Sequence, residues 1–242
     1  MTWAVVGASA GLGRALAEAL ARDSRPLLLV ASDKQDLDAQ AADLRIRFGG
    51  ETRALAVDVS AARAAEEIAT ALEGKPIDGL LFPVGAVDED DDGRLAGERL
   101  ERLMRVNLIS IMTITARLLP RMRAQGRGVI VGFGSVAAAR GRSRNVVYSA
   151  AKRALESYFE SLRHAEEACG IAVALYVVGF MDTNQAFGRQ LRLPLARPEH
   201  VARRVRNELG RRRGRSHLPR WWWPVTCALR ALPWPAYRRM RF

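Results

Sequence analysis

Residues 2–20 read Thr2-Trp3-Ala4-Val5-Val6, then Gly7-Ala8-Ser9-Ala10-Gly11-Leu12-Gly13, then Arg14-Ala15-Leu16-Ala17-Glu18-Ala19-Leu20. A short apolar run stops at a glycine cluster and becomes a helical pattern. A strand, a glycine turn and a helix in that order suit a dinucleotide. Gly7 permits the tight turn. The missing side chains at Gly11 and Gly13 let the backbone N–H groups of Ser9, Ala10 and Leu12 approach a pyrophosphate, and the helix N-terminus adds its positive dipole end. The competing reading is a flexible glycine loop with no ligand.

Working outward, the chain alternates strand-like and helix-like segments. Apolar runs at Leu27–Ala31, Ala54–Val57, Gly79–Val84, Gly128–Phe133 and Ile171–Val178 read as buried strands. Amphipathic stretches near 34–48, 60–73, 97–124 and 146–168 read as helices between them. This alternation predicts an α/β fold, a Rossmann-like doubly wound parallel sheet covered on both faces. The chain has 242 residues, enough for one well-buried domain, and no repeat or low-complexity linker divides it. The expected organisation is one domain over residues 1–220 and a basic, aromatic C-terminal tail over 221–242.

Tyr148 and Lys152 lie four residues apart, so a helix places them on one face. A lysine ammonium beside a phenol favours the phenolate and makes the tyrosine a usable proton donor and acceptor. Ser135, thirteen positions upstream, supplies a hydroxyl that can hold a carbonyl or alcohol oxygen beside that phenol. Taken alone, such a pair is also compatible with ordinary helix surface. The glycine turn is what joins it to a redox site.

Together these residues resemble the short-chain dehydrogenase/reductase family over roughly residues 2–220. Gly7, Gly11 and Gly13 match its glycine motif, with Val6 where the family usually has Thr. Asp58, followed by Val59, matches the acid that contacts adenine. Asn107, Ser135, Tyr148 and Lys152 match the catalytic tetrad. Gly179, Asp182 and Thr183 match the nicotinamide-side loop, with Val178 in place of Pro. Phe82-Pro83-Val84-Gly85 stands where the family has Asn-Asn-Ala-Gly: Gly85 is kept, and the asparagines that usually brace the central sheet are not. The resemblance implies an NAD(P)H-dependent oxidoreductase interconverting a ketone and a secondary alcohol. It assigns Tyr148 as proton donor, Lys152 to the tyrosine pKa and the nicotinamide ribose, Ser135 to the substrate oxygen, and Asn107 to a proton-relaying water. A homodimer or homotetramer is also implied. The rival class is a non-catalytic cofactor-binding scaffold or redox sensor, which would have no need of the proton donor.

The choice between NAD and NADP stays open. By register the position of the usual ribose-binding acid is Ala31, and the usual arginine position is Ser32. Asp33 lies close enough to serve if the turn shifts, and Arg14 could reach a phosphate. The acidic run Asp88-Glu89-Asp90-Asp91-Asp92 reads as a solvated loop, with a cation or basic-partner site as the alternative. Cys169 and Cys227 have no metal or redox spacing and are expected to be reduced thiols. His164, His200 and His217 are scattered, so no metal site is expected. The first strand reads from Thr2, so no cleaved leader is expected, and the expected location is cytoplasmic.

Net charge is +12, and thirteen arginines against Glu199 and Glu208 place +11 of it in Arg197–Phe242. Trp221, Trp222, Trp223 and Trp234 crowd the same stretch, which Pro224, Pro233 and Pro235 are expected to break into short pieces. Aromatic rings with cations suit an anionic membrane surface, at about 1 kcal/mol per basic residue near the headgroups. The alternatives are packing over the substrate cleft or at a subunit interface; no nucleic-acid partner is expected. Arg140-Gly141-Arg142-Ser143-Arg144-Asn145 and His217-Leu218-Pro219-Arg220-Trp221-Trp222-Trp223-Pro224 are similar to a bacterial subgroup of the family. That subgroup includes the reductase of decaprenylphosphoryl-ribose epimerisation. It implies a polyprenyl-phosphate-linked keto sugar or another amphipathic carbonyl, and a peripheral place on the inner face of the membrane. Arg140, Arg142 and Arg144 either face a substrate phosphate or form a solvated basic loop.

Overall fold

The computed structural model describes residues 2–181, 195–211 and 213–240. Seven strands form one sheet: β1 (Thr2–Val6), β2 (Leu27–Ala31), β3 (Thr52–Ala56), β4 (Ile77–Phe82), β5 (Gly128–Ser135), β6 (Ile171–Val178) and β7 (Gly214–Leu218). Their order is β3-β2-β1-β4-β5-β6-β7, and every pairing is parallel.

Between the strands run α1 (Gly11–Ala21), α2 (Lys34–Phe48), α3 (Ala64–Ala71), α4 (Gly97–Met104), α5 (Ser110–Gln125), α6 (Val146–Glu166) and α7 (Pro198–Glu208). Side chains alternate along each strand, and in β1, β2, β5 and β6 both sets are largely apolar. Ala4, Val6, Leu28 and Val30 join one core with Ile68, Ile111, Ile114 and Phe159 of α3, α5 and α6. Trp3, Val5, Leu27 and Leu29 join the other with Leu16, Leu37 and Val205 of α1, α2 and α7. Two-sided burial explains why the strand sequences lack polar alternation. The helical stretch Gly97–Gln125 is apolar and long enough to cross a bilayer by composition, but half of its most apolar window is buried within the fold.

Two elements differ from the sequence expectation. Gly214–Leu218 has no apolar run, yet it forms the edge strand beside β6, pairing Tyr176 with Ser216 and Val178 with Leu218. Pro224 does not break the tail. It sits in the first turn of α8 (Trp222–Ala231), where a missing N–H costs nothing. A short α9 (Trp234–Tyr237) follows.

The chain crosses over between β1 and its neighbours β2 and β4. This switch point opens a crevice at the carboxyl ends of the strands, where such sheets bind their ligands.

Candidate active site

The glycine turn is set by contact distances. Gly7 has φ +95°, and a Cβ there would meet the Val84 backbone at 2.7 Å. A Cβ on Gly13 would lie 1.8 Å from the Gly7 carbonyl oxygen. Only glycine lets α1 start this close to β1. Ala10 offers no side-chain cap, and no acid occupies the first turn, so the opening N–H groups of α1 remain suited to an anionic phosphate. This cradle fits a dinucleotide pyrophosphate. Gly7, Ser9, Ala10, Gly11 and Leu12 line one cleft of about 310 Å³ together with Ser32, Asp58, Val59, Gly85, Tyr148 and Lys152.

Lys152 comes from the second turn of α6 and is 4% exposed. Its Nζ donates to the Phe133 carbonyl at 3.2 Å and the Val84 carbonyl at 3.4 Å, at the ends of β5 and β4. Burial pulls its pKa down to about 8. Tyr148 lies one turn earlier, with its ring centroid 5.9 Å from that Nζ. Burial raises its pKa, and a hydrogen bond with Ser135 and the charge of Arg142 oppose the rise. The expected lowering by Lys152 is therefore not what governs this phenol. The ammonium points to backbone carbonyls, and desolvation keeps the phenol protonated, the form that carbonyl reduction needs. Ser135 ends β5 and also accepts from the Ala137 N–H at 3.2 Å.

Asn107 occupies a π-turn, Arg105–Ile109, between α4 and α5 and is fully buried. Its Nδ2 donates to the carbonyls of Ala86 at 2.8 Å and Leu103 at 2.9 Å, and its Oδ1 accepts from the Ala86 N–H at 3.2 Å. The side chain expected to hold a water is thus engaged with protein. It clamps the loop after β4, where Phe82 and Pro83 replace the family's asparagines. The Val84 N–H reaches the Val6 carbonyl at 3.0 Å, completing the brace between β4 and β1.

Asp58 is exposed, and its Oδ1 accepts from the backbone and hydroxyl of Ser60 at 2.9 and 2.7 Å, which holds its pKa down. Asp33 does not line the cleft. Its carboxylate caps α2 through the Asp36 N–H at 2.9 Å. Arg14 folds back on the Ser9 carbonyl at 2.7 Å. Gly179 packs on Trp222 and is not among the residues that line the cleft, and Thr183, like Asp182, falls outside the described residues.

The acidic run is not one solvated loop. Asp88 and Asp90 pair with Arg99, and Asp92 pairs with Arg94, whereas Asp91 is buried at the start of α6. Nor is Arg140 a solvated cation. It donates to the Leu229 and Leu232 carbonyls and sits 4.1 Å over the Tyr237 ring. The Tyr237 hydroxyl donates to the Gly141 carbonyl at 2.6 Å. Arg142 is half-buried, Arg144 exposed.

The tail reaches the site at three further points. Trp222 is 3% exposed and packs against Gly179 and Phe180. Arg230 donates to the Ala139 carbonyl at 3.0 Å. It also joins Arg153 and Arg215 on the Oε2 of Glu156, one turn past Lys152, each at 3.1 Å. The packing of Trp222 was one of the alternatives open in the sequence; sequence reasoning missed Arg102, which lines the cleft near Asp58, and the roles of Asp91 and Glu156. For Arg102 the signal was its place one helical turn before the Asn107 turn. The others carry no local signal.

The short chain dehydrogenase family model matches residues 2–190. The human very-long-chain 3-oxoacyl-CoA reductase is 28% identical over 202 residues, covering 81% of this chain and 65% of its own length. The chain spans 61% and 56% of the rat and mouse proteins of that name. An uncharacterized oxidoreductase of Myxococcus xanthus is 30% identical over 201 residues, covering 82% of this chain and 79% of its own. Among solved structures, a short-chain dehydrogenase from Sphingobium yanoikuyae in complex with NADPH aligns with TM-score 0.84 and 26% identity, covering 94% of this chain and 92% of that one. A 7β-hydroxysteroid dehydrogenase aligns with TM-score 0.89 at 20% identity, over 98% and 95% of the two chains. The chain belongs to the short chain dehydrogenase family, a family of NAD(P)-dependent oxidoreductases.

Proposed function

We propose that the chain is a carbonyl reductase, reversible as an alcohol dehydrogenase, that works with NAD(P)H. The observation that carries this reading is the Tyr148 phenol, paired with the Ser135 hydroxyl at the end of β5 and set one turn from Lys152, which lines the same cleft as the glycine cradle. A scaffold or sensor has no use for a protonated phenol held in that way. Gly7, Ser9–Leu12 and the start of α1 hold the pyrophosphate; Ser32, Asp58 and Val59 face the adenosine half. The nicotinamide, when bound, supplies the hydride to the carbonyl carbon. Ser135 donates to the carbonyl oxygen. Tyr148 gives its proton to the same oxygen as negative charge develops there. The resulting phenolate is stabilised by the positive charge of Arg142 and by Lys152 when protonated.

The substrate is an amphipathic carbonyl, and a polyprenyl-phosphate-linked keto sugar fits best. Arg142 beside Tyr148 suits a phosphate near the reacting group. Trp221, Trp223, Trp234 and Met240 are exposed beside Arg220, Arg238 and Arg239, which suits a peripheral contact with anionic lipid on the cytoplasmic face. A long-chain 3-oxoacyl thioester is the second reading, favoured by the human, rat and mouse relatives. Ile109, at the end of the π-turn, and Met112, in the first turn of α5, are exposed three residues apart and support assembly as a homodimer or homotetramer.

The test follows NADH and NADPH oxidation against keto sugars with and without a polyprenyl phosphate, and against long-chain 3-oxoacyl thioesters. Turnover that requires the lipid tail supports the proposal. Absence of turnover on every carbonyl, with cofactor bound, contradicts it.

A further inference from the structure

An α-helix begins with backbone N–H groups that have no partner inside the helix, and a side chain just before it usually takes one or two of them. Helix α6 does not start that way. Its preceding residue, Asn145, has φ +54° and makes no side-chain cap. The donors go instead to one residue of the loop after β4. Asp91 Oδ1 accepts from the Val147 N–H at 2.9 Å, Asp91 Oδ2 from the Tyr148 N–H at 2.9 Å, and the Asp91 carbonyl from the Val146 N–H at 3.4 Å.

Asp91 is 2% exposed, although its neighbours Asp90 and Asp92 are charged surface residues. A carboxylate withdrawn from water is stable only where donors replace its hydration, and the two amides and the positive end of α6 do so. The loop is itself fastened. Asp88 and Asp90 hold Arg99 on α4, and Gly93, with φ +96°, lies where a Cβ would come 3.7 Å from the Val146 side chain.

We infer that Asp91 is a positioning residue for the proton donor: by taking the amides of Val147 and Tyr148 it sets where α6 starts, and so where the Tyr148 phenol stands against Ser135. The inference rests on the reading of Tyr148 as the proton donor. It follows from geometry that two acceptor oxygens are needed. Asparagine keeps one and turns an NH2 toward the other amide, donor against donor. Proton transfer is sensitive to such a change, because a displacement of about 1 Å can cost about 100-fold in rate.

The test compares Asp91→Asn and Asp91→Ser with Asp90→Asn, which removes a neighbouring charge and leaves in place both the cap and the two hydrogen bonds by which Asp88 holds Arg99. Two quantities are read in the full-length protein well below each variant's melting temperature. One is hydrogen exchange in peptides covering residues 145–152, which needs no turnover. The other is steady-state reduction by NADPH of the carbonyl that wild type reduces fastest. The expected result is exchange at least about tenfold faster and kcat at least about tenfold lower in both Asp91 variants, with the KM for NADPH within about twofold of wild type, and neither change in Asp90→Asn. Unchanged exchange overturns the inference, as does faster exchange with kcat kept within twofold. Equal loss in Asp90→Asn overturns it too, by assigning the effect to loop charge. An active wild type with unaffected Asp91 variants defeats the inference alone. A wild type that turns over no carbonyl defeats the reading of Tyr148, and the inference with it.

Discussion

Trp222 packs so closely on Gly179 that a Cβ on the glycine would fall 1.8 Å from the indole Nε1. Gly179 was expected to serve the nicotinamide side of the site. Its lack of a side chain is also what admits the first residue of α8. Through this contact, and through Arg230 on Glu156, the C-terminal segment supports both the loop after β6 and the helix carrying Tyr148 and Lys152. A truncation after Arg220 therefore removes support for the catalytic helix and is expected to lower activity on small and lipid-linked carbonyls alike.

Trp222→Ala is expected to lower stability by about 3–5 kcal/mol, the range for deleting a buried tryptophan. Trp223→Ala and Trp234→Ala, at sites 59% and 63% exposed, should stay within about 0.5 kcal/mol of wild type. Urea unfolding checks both. Equal effects at the three positions would mean that Trp222 is not the anchor.

Those two exposed tryptophans carry the membrane proposal. The full-length protein should co-sediment with anionic vesicles at low salt and progressively less as salt screens the arginines. The double variant Trp223→Ala, Trp234→Ala should lose most of this binding while remaining folded. Equal binding to neutral and anionic vesicles would remove the arginines from the account.

His217 ties β7 to α8. Its Nε2 lies 3.0 Å from the Thr226 hydroxyl, which itself donates to the Trp223 carbonyl at 2.9 Å, so the imidazole is the donor in this pair. Burial, with the charges of Arg215 and Arg230, lowers its pKa from 6.5 to about 4. Between those values the unfolded chain binds a proton that the folded chain does not. Stability from this group is therefore complete above about pH 6.5 and lost as pH falls toward 4. Thermal melts across that range should show the loss in wild type and a shallower slope in His217→Asn. Parallel slopes would rule His217 out as its source.

The glycine cradle yields a binding prediction. Gly13→Val forces the start of α1 away from the Gly7 carbonyl, and NADPH affinity should fall at least about tenfold. Fluorescence titration measures it. Undiminished affinity in a folded variant would place the dinucleotide elsewhere.

What was legible in the sequence is what chain-local physics determines. Five apolar runs and the turn at Gly7–Gly13 announce themselves because strand burial and tight turns act on neighbouring residues. Gly214–Leu218 does not: an edge strand of Arg215, Ser216 and His217 is held by its pairing with β6, which no short window contains. Asp91 looked like one more member of a charged run, since its role depends on amides 56 and 57 positions away. Arg140 read as facing either a substrate phosphate or solvent for the same reason: Tyr237 and the end of α8 meet it only in the fold.

The central claim is that Tyr148, paired with Ser135 on the wall of the cleft, is the proton donor in carbonyl reduction. Tyr148→Phe keeps the ring and its packing and removes only the phenol. Single-turnover reduction by bound NADPH, with NADPH affinity measured in parallel, tests it most directly. The account predicts affinity within about twofold of wild type and a rate lower by at least about 100-fold. A variant that binds NADPH normally and turns over at near wild-type rate would contradict it.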